Sequence, residues 1–225
     1  MVSTTDAIAS RITDAVIEHR LPPGAKLGEE ALAGVFGVSR TKVRQALIRL
    51  AQDKLVTLQP ARGAYVAKPD AREARELFDA RRVMERVLIE RFAASATREQ
   101  LAALRAHVRE ERAAIGTGDT AKRNRLLGEF HVLIAGMAGN QVMAAMLGQL
   151  VRRSSLVTLL FQTSRSAACS SDEHAALVDA VKQRDAIGAA RLMDEHLAHV
   201  ERDLAHAGLR GQALDLRSAL LPARS

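Results

Sequence analysis

The sequence predicts a mainly α protein in two parts. Residues 1–70 read as three helices with a two-stranded hairpin, and residues 71–207 as an all-α bundle of about six helices. Three observations carry this reading. Apolar residues recur at helical spacing almost throughout the 225 residues. Strand-like alternation is confined to one short stretch, residues 55–66. Pro69-Asp70 separates the two patterns. Residues 208–225 are weakly patterned and read as a loosely structured tail.

The first helix spans residues 4–19, with Ile8, Ile12, Ala15 and Val16 on one face. Leu21-Pro22-Pro23-Gly24 ends it, because proline cannot continue the hydrogen-bond ladder. A short helix follows over 29–36 and stops at Gly37. Ser39 is a suitable N-cap for the next helix, which runs to about Asp53 with Val43, Leu47 and Leu50 facing inward. Leu55–Leu58 and Ala64–Val66 form the hairpin around a Gln59–Gly63 turn. The later helices are expected at 72–95, 98–115, 120–137, 141–163, 171–183 and 186–206, with a break over Ser164–Ser170. Thr97-x-x-Gln100 is a capping box at the start of the second of these.

Composition narrows the function classes. Hydrophobic residues make up 48% and charged residues 26%, close to globular averages, which excludes wholesale disorder. No apolar run reaches the roughly 18–20 residues of a membrane helix, and the first residues lack a signal-peptide core. The single cysteine, Cys169, excludes an internal disulfide and fits a reducing, cytoplasmic location. Aromatic residues are 3%, with no Trp, which disfavours a stacking platform for single strands.

The net charge is +7, from 33 basic and 26 acidic residues, and favours a polyanionic partner. Its distribution is more telling. Ser39–Gln52 carries Arg40, Lys42, Arg44 and Arg49 and no acid over 14 residues. Helix, short helix, tight turn, basic helix and two-stranded wing is the order of a winged helix-turn-helix. Ser39, Arg40, Thr41 and Lys42 open the basic helix, the end that meets base edges and phosphates in a major groove. Arg44 shares a face with Arg40, and Arg62 lies at the wing tip. A basic helix alone is more often a solvated face. The coincidence of turn, wing and acid-free helix favours duplex DNA.

Leu27 to Val66, with the phrases LGEEALAGVFGVSRTKVRQALIRLAQDKLV and ARGAYV, resembles the DNA-binding domain of GntR-family transcription regulators. The resemblance implies DNA contacts from Ser39, Arg40, Thr41, Arg44 and Gly63. Lys42 stands where that family usually has Pro. Glu30 occupies a place where some relatives carry a basic residue that touches DNA.

In the helical part, His131, His174 and His196 each sit on the apolar face of a separate expected helix. An unpaired ring there is costly. Spacing alone leaves two readings equally open: hydrogen-bonded core histidines, or neutral ligands of a divalent metal such as zinc or nickel. His107 and His206 read as exposed, and His199 is ambiguous.

Residues 77–203 resemble the all-helical ligand-binding domain of the FadR subfamily, the FCD domain. The phrases are LFDARRVMERVLIERFAASAT, GEFHVLIAGMAGN, SSDEHAALVDAVKQRDAIGAA and MDEHLAHV. The resemblance implies a metal held by His131, His174 and His196, and a small carboxylate effector gripped by Arg81, with Glu85 orienting Arg81. It also implies an aspartate four residues before the first histidine, where this chain has Leu127. Glu129 lies about 200° around the helix from His131, and Asn124 about 10 Å down its axis, so neither substitutes.

Together these readings describe a transcription regulator, read as a repressor and not an enzyme. It is expected to act as a homodimer on a palindromic operator, with no membrane association. Two other classes remain: a metal-dependent enzyme on the helical domain, and an effector-independent DNA binder. The first lacks a nucleophile or general base beside the histidines, and no HExxH or GxSxG pattern occurs.

Overall fold

The computed structural model describes residues 4–158, 164–204 and 216–220. The first helix, α1 (Thr4–Ile17), buries Ile8, Ala9, Ile12, Ala15 and Val16. A two-residue strand, β1 (Lys26–Leu27), precedes α2 (Glu29–Phe36) and α3 (Arg40–Gln52). Gly37 closes α2 at φ 64°, and its N–H donates to the Ala33 carbonyl. The Ser39 hydroxyl caps α3 by accepting from the Lys42 N–H. Turn and caps therefore fix the angle between α2 and α3.

The wing consists of β2 (Val56–Gln59) and β3 (Gly63–Val66), antiparallel, with Val56 opposite Val66 and Gln59 opposite Gly63. The expected hairpin is thus present, with one addition. β1 pairs antiparallel with the outer side of β3, Lys26 opposite Tyr65 and Leu27 opposite Ala64, making a three-stranded sheet of order β1-β3-β2. Two residues after a Pro-Pro-Gly turn carry no alternation, so β1 leaves no pattern in the sequence.

Six helices follow: α4 (Ala71–Ser95), α5 (Arg98–Thr117), α6 (Thr120–Met137), α7 (Gln141–Thr158), α8 (Ser164–Lys182) and α9 (Ala186–Leu204). Asp70 caps α4, and Thr97 and Gln100 form the expected capping box of α5. The break expected over Ser164–Ser170 is corrected: these residues are the first turns of α8. Their Ser-rich composition argued for a loop, but Ala167 is fully buried, so tertiary packing overrides propensity. Residues 159–163, placed in the preceding helix from sequence, lie outside the described residues.

α4 is the axis of the bundle, with α6, α7, α8 and α9 around it. Its Phe78, Leu88, Ile89 and Phe92 join Phe130, Leu147, Leu177, Met193 and Leu197 in one core. A second core fills the N-terminal unit. It takes in Leu156 of α7, fully buried, and Ala219 and Leu220 of a short last helix, α10 (Leu216–Leu220). α10 therefore departs from the loosely structured tail expected over 208–225. It is anchored by Arg11, whose Nη2 donates to the Leu220 carbonyl at 2.8 Å. Among the described residues no helix is long and apolar enough to cross a membrane.

A largely buried polar junction joins the two units beside the more exposed Arg125–Glu18 pair. The Asn124 oxygen accepts from Nε and Nη2 of Arg123 at 3.1 and 3.0 Å. That fixes the amide, so its nitrogen donates to Nδ1 of His19 at 2.8 Å. Burial, helped by Arg123, pushes the His19 pKa down to about 3. The unfolded chain then takes up a proton near pH 6.5 that the folded chain refuses. Stability contributed by this site is present above 6.5 and is lost as pH falls from 6.5 toward 3. At pH 5 the loss is about 2 kcal/mol. His19→Gln keeps an acceptor for Asn124, so urea unfolding at pH 5 and pH 7.5 should differ less for this variant than for wild type by that amount.

Candidate functional site

His131 on α6, His174 on α8 and His196 on α9 are all buried, and their ring centroids lie 4.8–5.2 Å apart. One ligand atom from each lies within 4.8 Å of the others, the kind of group that holds a metal ion. Each ring is held from behind by a carboxylate. His131 Nδ1 donates to Glu85 Oε2 at 2.5 Å. His174 Nδ1 donates to Glu111 at 2.9 Å, and His196 Nδ1 to Glu173 at 2.6 Å. An ionised carboxylate on Nδ1 fixes that nitrogen as the proton carrier, which leaves the Nε2 lone pair free. His174 also stacks on Phe130, with centroids 3.8 Å apart, and its Nε2 is buried without a hydrogen-bond partner.

The electrostatics keep the His131 and His174 rings neutral. Burial is the largest influence on His131 and drives its pKa down to about 3, against the pull of Glu85. Burial likewise holds His174 well below 6.5. Burial is the largest single influence on Glu85 and would raise it, but Arg81 and His131 together, through their charges and hydrogen bonds, outweigh it and hold the carboxyl down to about 2. Glu111 has no such cation, and burial raises it to about 7.

Arg81 is buried at 4% exposure on α4, one turn before Glu85. Its Nε donates to Glu85 Oε1 at 2.7 Å and its Nη1 to Ser154 Oγ at 2.9 Å. Its Nη2 is buried without a hydrogen-bond partner. Arg81, Ser154 and the three histidines line one cavity of about 480 Å³. The α1 residues Ala9, Ser10, Thr13 and Ile17 line it too, as does Leu50 of α3, so it borders the N-terminal unit. Leu127, where the family resemblance implies Asp, is a wall residue, while Glu129 is exposed and pairs with Arg125. Asn124 is engaged by Arg123 and His19.

Glu85 was expected to orient Arg81 and also buttresses His131. Glu111, Glu173 and Ser154 were missed. Glu111 was legible in principle: with Leu104 and Val108 it follows an i, i+4, i+7 stripe that marks a buried face. His107 is corrected from exposed to half-buried, its Nε2 donating to the Leu126 carbonyl at 2.9 Å. His199 is exposed and shares Glu173 with His196. His206 lies outside the described residues.

The basic helix presents its charges outward. Arg40, Thr41, Lys42 and Arg44 are exposed on α3, as is Ser39 at its cap. Arg62 and Gly63 are exposed at the wing, where Gly63 adopts φ 97°, a conformation that suits glycine. Arg44 pairs with Glu29 of α2 through both carboxylate oxygens, at 2.8 and 2.7 Å.

The sequence matches the bacterial regulatory proteins of the gntR family over residues 4–66 and the FCD domain over residues 76–199. The chain is a GntR-family transcription regulator with an FCD domain. It is similar to the HTH-type transcriptional repressor RspR of Escherichia coli, 26% identical over 190 residues, 84% of this chain and 83% of that one. It is 28% identical to the HTH-type regulator YdhC of Bacillus subtilis over 187 residues, 82% of each. Its fold resembles that of a GntR regulator from Rhodococcus sp. RHA1, with a TM-score of 0.82 at 23% identity over 91% of this chain and 98% of that one. E. coli McbR/YncC matches with the same values. Family membership makes this GntR protein a DNA-binding regulator, not an enzyme.

Removing Glu85 leaves Arg81 buried without its counter-ion. Glu85→Ala should cost about 3–5 kcal/mol in urea unfolding. A loss under 1 kcal/mol would mean that Arg81 finds water instead.

Proposed function

We propose that this regulator is a repressor whose operator binding responds to a small carboxylate held at the three histidines and Arg81. The observation that carries the reading is the pair of buried, unpartnered groups on one cavity: His174 Nε2 and Arg81 Nη2. A lone pair and a cationic N–H, both desolvated, call for a Lewis acid and an anion respectively. His131, His174 and His196 would hold a divalent ion, zinc or nickel by donor type, which supplies a Lewis-acidic attachment for one carboxylate oxygen. Arg81, steadied by Glu85 and Ser154, then donates to the other oxygen in a charge-assisted hydrogen bond. The repressor sense is supported by the names of RspR and of the gluconate operon transcriptional repressor of Bacillus licheniformis, 36% identical over 89 residues, 40% of this chain and 36% of that one.

On DNA, Arg40 and Arg44 read bases, with Ser39, Thr41 and Gly63 against the backbone and Lys42 and Arg62 on phosphates. A single recognition helix covers few base pairs, so a homodimer on a palindromic site doubles the contacts. Arg40→Ala should cost about 1–3 kcal/mol at its base pair, whereas Lys42→Ala should weaken binding to all sequences and flatten the salt dependence. Light scattering should give twice the chain mass. A monomer both free and on DNA would overturn the dimer.

The effector reading is tested by metal analysis together with operator release by a panel of small carboxylates. His174→Ala should lose the metal. Arg81→Ala should keep it and lose the response. Leu127→Asp adds the carboxylate that the FCD pattern implies and should tighten metal binding. A metal-free wild type that gains nothing from Leu127→Asp would reduce the histidines to core residues.

A further inference from the structure

The acid that pairs with the arginines opening the recognition helix is Glu29, the first residue of α2. Its carboxylate spans a gap of fifteen residues in sequence to grip Arg44, accepting from Nε at 2.8 Å and from Nη2 at 2.7 Å. The same carboxylate lies 3.8 Å from Nη2 of Arg40. Both arginine side chains are well exposed, 64% for Arg40 and 62% for Arg44, whereas Glu29 is 25% exposed. The carboxylate sits beneath them at the N-terminus of α2, where the helix dipole favours its charge. The Arg44 hydrogen bonds then hold it ionised, below the ordinary carboxylate range.

As a stabilising device such an exposed pair contributes little. Its consequence is geometric. A guanidinium has two edges that bind bidentately: the side edge, Nε with one Nη, and the end edge, Nη1 with Nη2. Glu29 occupies the side edge of Arg44. The end edge remains free, and it matches the O6 and N7 acceptors of guanine in the major groove. The carboxylate also limits where the two arginines can go. Without it, Arg40 and Arg44, one turn apart and of like charge, repel each other and splay toward the nearest anions, which on DNA are the phosphates.

We infer that Glu29 is a positioning residue for base readout, fixing Arg44 end-on toward a guanine and keeping Arg40 and Arg44 off the backbone. It raises the preference for the operator over unrelated duplex without touching DNA. This rests on the reading of Arg40 and Arg44 as base contacts. Glu30, its exposed neighbour, carries the same charge on the same helix turn.

The test uses the full-length protein and two duplexes of equal length. One is selected from random sequence by the wild type, the other is unrelated to it. Both are titrated across a salt series. Glu29→Gln should lower the ratio of operator to unrelated affinity about tenfold, with weaker operator binding and tighter unrelated binding. The salt slope on the unrelated duplex should steepen by about one unit, the gain of one phosphate contact. Glu30→Gln should leave the ratio within about twofold. Thermal melting of each variant checks that the fold is intact.

An unchanged ratio in Glu29→Gln, with Arg44→Ala lowering it, overturns the positioning role and leaves the base contacts standing. An equal loss in Glu30→Gln overturns it in favour of net charge alone. If Arg40→Ala with Arg44→Ala also leaves the ratio unchanged, the base-contact reading itself falls, and the role of Glu29 with it.

Discussion

Arg81 is a permanent cation inside a helical bundle, and the order of the surrounding side chains follows from neutralising it. Glu85, one turn along α4, supplies the charge. That carboxylate has a second oxygen, which takes the Nδ1 proton of His131 on α6. The ion pair therefore sets a tautomer on another helix and turns the basic nitrogen of that ring away from α4. Ser154 of α7 accepts a further Arg81 hydrogen. One buried charge thus ties three helices together through hydrogen bonds that are short and directional. Glu111 and Glu173 repeat the device for His174 and His196 without a cation behind them.

Placement makes this cluster suited to regulation. The cavity it lines has α1 as another wall, and α1 packs on α3, the recognition helix. Leu156 of α7 lies in the core of the DNA-binding unit, so α7 serves both cores. An occupant touching Arg81 and an α1 side chain would change the free energy of the interface directly, and coupling would need no long relay. Linkage requires the reverse as well: DNA that prefers one arrangement of the two units alters affinity in the cavity by the same factor.

Much of this was legible from residue patterns, and the exceptions have physical causes. The three helices and wing of the N-terminal unit follow from caps and breakers: Pro22-Pro23-Gly24, Gly37, Ser39. These act locally, so sequence carries them. The convergence of His131, His174 and His196 was suggested by their apolar faces, since a histidine on such a face must meet a partner. Identifying Glu111 as a partner needed the tertiary structure, because a carboxylate on a stripe with Leu104 and Val108 is satisfied only by groups distant in sequence. β1 and α10 were missed for a related reason. Two strand residues and five helical ones are stabilised by what they dock on, β3 and α1, not by their own periodicity. The start of α8 was misread because serine propensity is weak beside the burial of Ala167.

Leu127 gives the proposed centre a particular electrostatic character. An aspartate in the wall would cancel one charge of a dication before any effector arrives. Here the first coordination partners are imidazoles, His131 and His174 neutral by burial. The nearest fixed anion behind His131, Glu85, is already matched by Arg81. A divalent ion would then keep most of its charge in a low-dielectric pocket, where Coulomb terms are several-fold stronger than in water. An anionic effector would supply the missing negative charge, gaining more from the metal than it could with an aspartate present. Metal and carboxylate would thus become mutually dependent, each raising the other's affinity by the same factor. Occupancy of the whole site, not of the metal alone, would then be what the DNA-binding unit senses across α1.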